Sequence, residues 1–331
     1  MSNYLGLLQL GLLAILCFAI LSALVSAAVY PIVRKRLSET PPVLRSNILL
    51  IWLIAPTLIG LALTTLTFIP SLLSIVGFSP DHCSVHDGHL HLCLFHPPLP
   101  VDSSILQLLL TALAGIAAAF IAIHLSKILH AYKFQRTLMM ASRPHTIHDI
   151  NVVDWDMPLA LSTGIHHMRV FISSQLIQSL SPKQLQVVIA HEQNHLSRRD
   201  PIRHLIAHIF SFTHIPWLRK NMLIDFDLAT EQTCDEAAAE KVGDRLYVAD
   251  TILAVERIFT VRSFSYMAKS ISGSNITARV ESLLAQRSSH ASLPKGYVVF
   301  LGASLLLVMV ASIHDFHHFT ESILQLITGQ V

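Results

Sequence analysis

The polar positions of this chain are concentrated in its middle, and long apolar runs lie on both sides. Four runs stand out: about Tyr4 to Val33, Asn47 to Phe78, Ser103 to Ser126, and Gly296 to Ile313. A helix crosses the hydrocarbon layer with roughly 20 apolar residues. The first three runs reach that length, and the fourth, with Lys295 at its start, is read as a shorter span. Pro56 and Pro70 interrupt the second run, so it is expected to tilt, to kink at Pro56 or to end near Pro70.

Between the third and fourth runs the periodicity changes. Asn151 to Asp156 and Arg169 to Ser173 are β-rich and separated by turn residues that include Pro158 and Gly164. From Ser181 onward the pattern is helical. Ser181, Pro182 and Gln184 suit the N-cap, the first helical position and a capping box, and Asp200-Pro201 marks the end, giving a helix from about Ser181 to Ser197. Ile202 to Trp217 is apolar but holds Arg203, His204, His208 and His214. It is read as a core helix or one lying against the membrane surface. A further helix is expected from about Leu228 to Val242, ended by Gly243.

Composition agrees with a membrane protein: 52% of the 331 residues are hydrophobic and only 13% are charged, against about 25% charged in soluble domains. The net charge of +2 gives no argument for direct nucleic-acid binding. Basic residues set the orientation. Arg34, Lys35, Arg36 and Arg45 follow the first run, and Lys127, Lys133, Arg136 and Arg143 follow the third. The segment 79–102 and the tail after Ile313 contain no Lys or Arg. The first run has no preceding positive charge and is too long for a signal peptide. The expectation is a multi-pass protein of the inner (cytoplasmic) membrane with both termini outside. It divides into a three-span region at 1–130, a cytoplasmic domain at 131–293, a fourth span at 294–313 and a short outside tail at 314–331. In fold class this is a mainly α membrane protein with an α+β domain between helices 3 and 4.

The chemistry is expected in the middle domain. His191-Glu192-Gln193-Asn194-His195 is an H-E-x-x-H string. On a helix its two histidines share one face, so both imidazoles can reach one Zn2+. Glu192 leaves that face and suits a general base towards water. Glu231 lies 36 residues after His195 and can supply a carboxylate ligand, with Asp235 one turn on as a second-sphere acceptor for a ligand histidine. The competing reading makes these polar residues exposed helix faces, shared by Glu236 and Glu240.

These features resemble the membrane metallopeptidases of the BlaR/MecR antirepressor type. The matching residues are H-E-x-x-H followed by Arg198-Arg199-Asp200, then Glu231-x-x-Cys234-Asp235, with Val170-Phe171-Ile172-Ser173 upstream. The resemblance implies a zincin, gluzincin-like, domain with one catalytic Zn2+ per chain, His191, His195 and Glu231 as ligands and Glu192 catalytic. It also implies a protein substrate such as a cytoplasmic transcriptional repressor, cleaved in signal transduction. The antirepressors carry a large penicillin-binding sensor after the fourth span, whereas about 18 residues follow Ile313 here, so beta-lactam sensing by that route is not expected. The HtpX/Ste24 type shares H-E-x-x-H and a downstream Glu, but its HtpX branch places spans between the two motifs.

Outside the membrane, Cys83 and Cys93 can pair in a disulfide. His82, His86, His89, His91 and His96 crowd the same loop, with His314, His317 and His318 in the tail. They suit metal binding or pH sensing, or are merely solvated. The main functional rival is therefore a non-proteolytic metal-sensing membrane receptor with a structural zinc. An extended substrate is expected to pair with an edge strand such as Arg169 to Ser173. The other inner histidines (145, 148, 166, 167, 204, 208, 214) are read as structural, with one a candidate oxyanion stabiliser. The oligomeric state is open, a homodimer being one option.

Overall fold

The computed structural model describes residues 2–77, 104–145, 149–165, 167–262, 272–285, 319–320 and 322–323. The run Gly296 to Ile313, the 79–102 loop with Cys83, Cys93 and its five histidines, and the three tail histidines lie outside the described residues.

The described part is mostly helical. Helices α1 (Ser2–Ser38), α2 (Pro42–Thr67), α3 (Ile69–Ile75) and α4 (Ser104–Ala141) are followed by strands β1 (Ser142–Pro144), β2 (Asn151–Val153), β3 (Ala160–Thr163) and β4 (Arg169–Ser173). Then come α5 (Ser174–Ser179), α6 (Pro182–Arg198), α7 (Asp200–Phe210), a 3-10 turn (Ser211–Thr213), α8 (Pro216–Val242), α9 (Arg245–Arg262) and α10 (Ser272–Leu284).

Among the described residues, three helices are long and apolar enough to cross a membrane: Leu5–Ser38, Pro42–Thr67 and Gln107–Ala141. The second apolar run breaks at Phe68, just before Pro70, and Pro56 stays inside α2. The third helix runs on well past Ser126. Its last turns reach the sheet, where Leu138 packs on Val153 and Phe171, and Gln135 Nε2 donates to His167 O at 2.6 Å. Helices α1 and α2 form a tight pair. A Cβ on Gly60 would lie 2.7 Å from the Ile15 carbonyl oxygen, so only glycine allows this approach.

The sheet order is β1-β2-β4-β3. β4 pairs parallel with β2 and antiparallel with β3. The expected edge strand Arg169 to Ser173 is thus an interior strand, with Phe171 and Ile172 fully buried. A strand hydrogen-bonded on both sides has no free ladder to offer a substrate. The edges belong instead to β1 and β3, and β3, the one that touches α6, is a short mixed run ALST that carries little strand signal.

Helix α6 lies between the sheet and the remaining helices. Val188 and Ile189 join Val152, Val170 and Ile172 in one core, and Val187 and Ala190 join Ala238, Val248 and Leu283 in another. Its start is the expected capping box: Ser181 Oγ accepts from Gln184 N, and Gln184 Oε1 accepts from Ser181 N. Helix α8 begins at Pro216, twelve residues before the expected start at Leu228. Its first half packs on the α1–α2 pair through Leu218, Met222 and Phe226, and its second half reaches α6. One rigid helix therefore connects the apolar pair to the chemistry.

Candidate metal centre

Two helices bring three donor groups together. His191 and His195 stand one turn apart on α6, and Glu231 faces them from α8. His191 Nε2 and His195 Nε2 are 3.1 Å apart, and each lies 3.5 Å from a Glu231 carboxylate oxygen. Zinc–nitrogen bonds of about 2.0–2.1 Å in a tetrahedron separate ligand atoms by roughly 3.3–3.4 Å. The donor set is thus of the right size and chemistry for zinc.

The far ring nitrogens are fixed by carboxylates. His191 Nδ1 lies 3.0 Å from Asp235 Oδ1, and His195 Nδ1 lies 2.9 Å from Asp200 Oδ2. A carboxylate accepts, so each Nδ1 carries a hydrogen, and Nε2 is the atom left to bind a cation, His191 Nε2 giving up its proton to do so. Both carboxylates are 1% exposed. Asp200 was visible in the sequence only as a helix-end signal and part of the family string. It reaches His195 because Arg199 adopts a left-handed backbone (φ 56°), which ends α6 and starts α7 without a loop. Asp200 is also flanked by Arg198 Nε at 3.4 Å and Arg203 Nε at 3.3 Å.

Arg279 of α10 is the residue that motif reading missed. Its Nε and Nη2 donate to the two Asp235 oxygens, each at 2.7 Å, and Nη1 lies 3.0 Å from Glu231 Oε2. Its position, 48 residues after Glu231 and near no recognisable string, gives no sequence signal. The electrostatics follow from this network. Burial alone would raise Glu231, but His191, Arg279 and His195 together hold its carboxyl well below the usual range. Burial likewise opposes ionisation of Asp235, and Arg279 and His191 outweigh it and lower its pKa. Burial disfavours charge on His191, yet Asp235 and Glu231 push its pKa up to about 10 in the metal-free site. Two carboxylates held ionised against two imidazoles form a site built for positive charge.

Glu192 lines the same cavity as His191 and Glu231. It is buried, and Ser162 Oγ on β3 lies 2.6 Å from its Oε2 and 2.7 Å from its carbonyl oxygen. Ser162 thus ties the edge strand to the helix, another contact that spacing along the chain could not show. His191, Glu192, Glu231, Asp235 and Arg279 share a cavity of ≈ 260 Å³ with apolar walls from Val188, Val255 and Phe259, among others. None of the described histidines other than His191 lines it. The exposed-face alternative for the α8 acids fails at Asp235 and Glu236, which are 1% and 3% exposed.

A second grouping, His195, Asp200 and Cys234, also brings ligand atoms within 4.8 Å. Asp200 is already engaged by two arginines there, and burial pushes the Cys234 thiol up.

No curated protein matches this chain in sequence. The family model of the BlaR1 peptidase M56 matches residues 104–283, from the start of α4 to the end of α10. The match covers more than half of the chain and contains the whole donor cluster, the cavity and Arg279. The protein therefore belongs to the BlaR1 peptidase M56 family, a family of metallopeptidases.

Proposed function

We propose that the protein is an integral membrane zinc metalloendopeptidase that cleaves a protein substrate, a cytoplasmic transcriptional repressor being the class in view, as a step of signal transduction. The observation that carries this reading is the donor triangle of 3.1, 3.5 and 3.5 Å, with Glu192 in the cavity that His191 and Glu231 line. His191, His195 and Glu231 would hold one Zn2+ per chain. When bound, the metal polarises the scissile carbonyl and acidifies water.

The protein's own residues do the rest. Glu192 takes the proton from the attacking water and delivers it to the leaving amine. Ser162 holds the Glu192 carboxylate through its hydroxyl. Asp235 and Asp200 keep the two imidazoles in the tautomer that presents Nε2. Arg279 neutralises and orients Asp235 and Glu231. An extended substrate adds to the edge of β3, with an apolar side chain in the cavity beside Val188, Val255 and Phe259. The basic residues after the first and third spans support a cytoplasmic site. With a carboxylate base beside the ligands, this reading is favoured over a receptor with structural zinc, which would have no use for Glu192.

Metal analysis of the full chain purified in detergent tests the reading. One zinc per chain is expected in the wild type, with loss of most of it in His191→Ala and Glu231→Gln. An equal metal content in all three proteins would overturn the ligand assignment.

A further inference from the structure

The α7–α8 elbow turns large apolar side chains outward. Phe212, Ile215 and Trp217 are close together in the chain and 46%, 43% and 63% exposed. They sit where helix α7 ends and α8 begins. This elbow does not lie at the mouth of the apolar helices but part-way along them. Thr57 Oγ1 of α2 donates to Phe210 O at 2.8 Å and lies 3.2 Å from Thr213 Oγ1. His214 Nε2 lies 3.2 Å from Trp52 O of α2. The Phe212 ring packs on Phe120 of α4 with centroids 4.7 Å apart.

Two independent rulers give the same depth. The apolar part of α2 starts at Ile48, nine residues before Thr57, which is about 13 Å at 1.5 Å per residue. The apolar part of α4 ends at Lys127, seven residues after Phe120, which is about 10 Å. Half of a hydrocarbon layer is about 15 Å. At its other end α7 is fixed beside the polar start of α2: Arg198 Nη2 and Arg203 Nη2 reach Ser46 Oγ at 2.8 and 3.4 Å.

The backbone at the elbow is satisfied as a lipid environment demands. A helix end leaves carbonyls without intrahelical partners, and in hydrocarbon no water can serve them. Here Thr57 takes the Phe210 carbonyl, and Arg219 Nη2 donates to the His208 carbonyl at 3.1 Å while its Nε reaches Ser211 Oγ at 3.0 Å. Lys220 follows with a long stem that can carry its charge out to the headgroups.

We infer that the α7–α8 elbow is a re-entrant wedge that enters the bilayer from the side of the catalytic domain, with Phe212, Ile215 and Trp217 against lipid acyl chains. Helix α8 then runs back out, and its fifteen residues from Pro216 to Glu231 cover about 22 Å. The metal centre is thereby held roughly 10 Å outside the hydrocarbon boundary, the difference of these lengths. The inference rests on the membrane placement of α1, α2 and α4 and is independent of the catalytic reading.

Tryptophan fluorescence of the full chain in vesicles tests it, because the chain has three tryptophans, at 52, 155 and 217. Trp52→Phe/Trp155→Phe leaves Trp217 alone. Trp52→Phe/Trp217→Phe leaves the exposed Trp155 as the aqueous reference. Ile51→Trp, placed at a lipid-facing position of α2 (64% exposed) with the native tryptophans changed to Phe, is the membrane reference. The vesicles are phosphatidylcholine with or without bromine on the acyl chains, and acrylamide is the aqueous quencher. Trp217 is expected to lose most of its emission to brominated lipid, as the Ile51→Trp reference protein does, and to resist acrylamide. Quenching of Trp217 by acrylamide to the extent seen for Trp155 overturns the wedge, as does protection from both quenchers, which would mean a protein-covered elbow. Failure of brominated lipid to quench the Ile51→Trp protein would overturn it at its premise, the membrane placement of α2.

Discussion

Replacing Asp200 by Asn keeps the shape of the side chain and removes its charge, and it tests whether the metal centre is tuned from outside its ligand set. Asp200 is 1% exposed, holds His195 Nδ1 at 2.9 Å and stands between two arginine Nε atoms at 3.3 and 3.4 Å. Two losses follow. Removing a carboxylate behind a ligand histidine costs about 10–100-fold in metal affinity, or about 1.4–2.7 kcal/mol. The uncompensated Arg198 and Arg203 add repulsion towards a cation, so the upper part of that range is expected. Separately, breaking a buried charge cluster costs about 3–5 kcal/mol of stability when a partner is deleted outright. Asn still accepts one hydrogen bond, so the fold is expected to lose nearer half of that. The assay is zinc competition against a chromophoric chelator on detergent-purified protein, with thermal unfolding run with and without zinc. The variant should bind zinc at least tenfold more weakly, and the stabilisation that a fixed zinc concentration confers should shrink in step. Unchanged zinc affinity in a folded Asp200→Asn protein would mean that Asp200 does not tune the site.

Other outcomes follow from single features. Zinc entry should expel a proton from His191, whose pKa of about 10 in the metal-free site lies above the ~6.5 of an unfolded histidine. Calorimetry at pH 8 in buffers of different ionisation heat should therefore show about one proton released per metal, and no buffer dependence would contradict it. By the same sign, the stabilisation that His191 gives the metal-free fold is complete below about pH 6.5 and is lost as pH rises through about 10. Gly60→Leu should unfold or loosen the α1–α2 pair, at a cost of about 1–3 kcal/mol or more, because even a Cβ meets the Ile15 carbonyl at 2.7 Å; thermal stability in detergent reads this directly. At the foot of α1, Tyr30 and Arg34 both donate to Asp225 of α8. Asp225→Ala should cost about 1–3 kcal/mol because it strands the Tyr30 hydroxyl, while Arg34→Ala, at a half-exposed position, should cost under about 1 kcal/mol.

What the sequence reveals about this protein depends on the range of the interaction. The H-E-x-x-H turn and the capping box at Ser181 are local, and helical spacing alone places His191 above His195. The apolar runs are equally local, although their ends are not: α4 continues to Ala141 because Leu138 finds Val153 and Phe171, partners that no window on the apolar run contains. Strand order is non-local, and so β4 reads as an edge when it is flanked by β2 and β3. Arg279 and Ser162 reach the site only through tertiary packing of α10 and β3. Asp200 is an intermediate case. It stands five residues after His195, but it acts because Arg199 takes a left-handed turn that nothing in its residue type announces. The early start of α8 at Pro216 was hidden because Arg219, Lys220 and Asp225 break the apolar stripe, with Arg219 and Asp225 serving other elements.

On the proposed reading, the cluster on α6 and α8 hydrolyses peptide bonds with Glu192 as the base. Glu192→Gln removes the base and leaves His191, His195 and Glu231 in place. The most direct measurement compares wild type and Glu192→Gln, co-expressed with a candidate cytoplasmic repressor, for repressor fragments and for zinc content of the purified chain. Equal zinc is expected in both proteins, with fragments from the wild type alone. Fragments of the same size and yield from Glu192→Gln would contradict that reading.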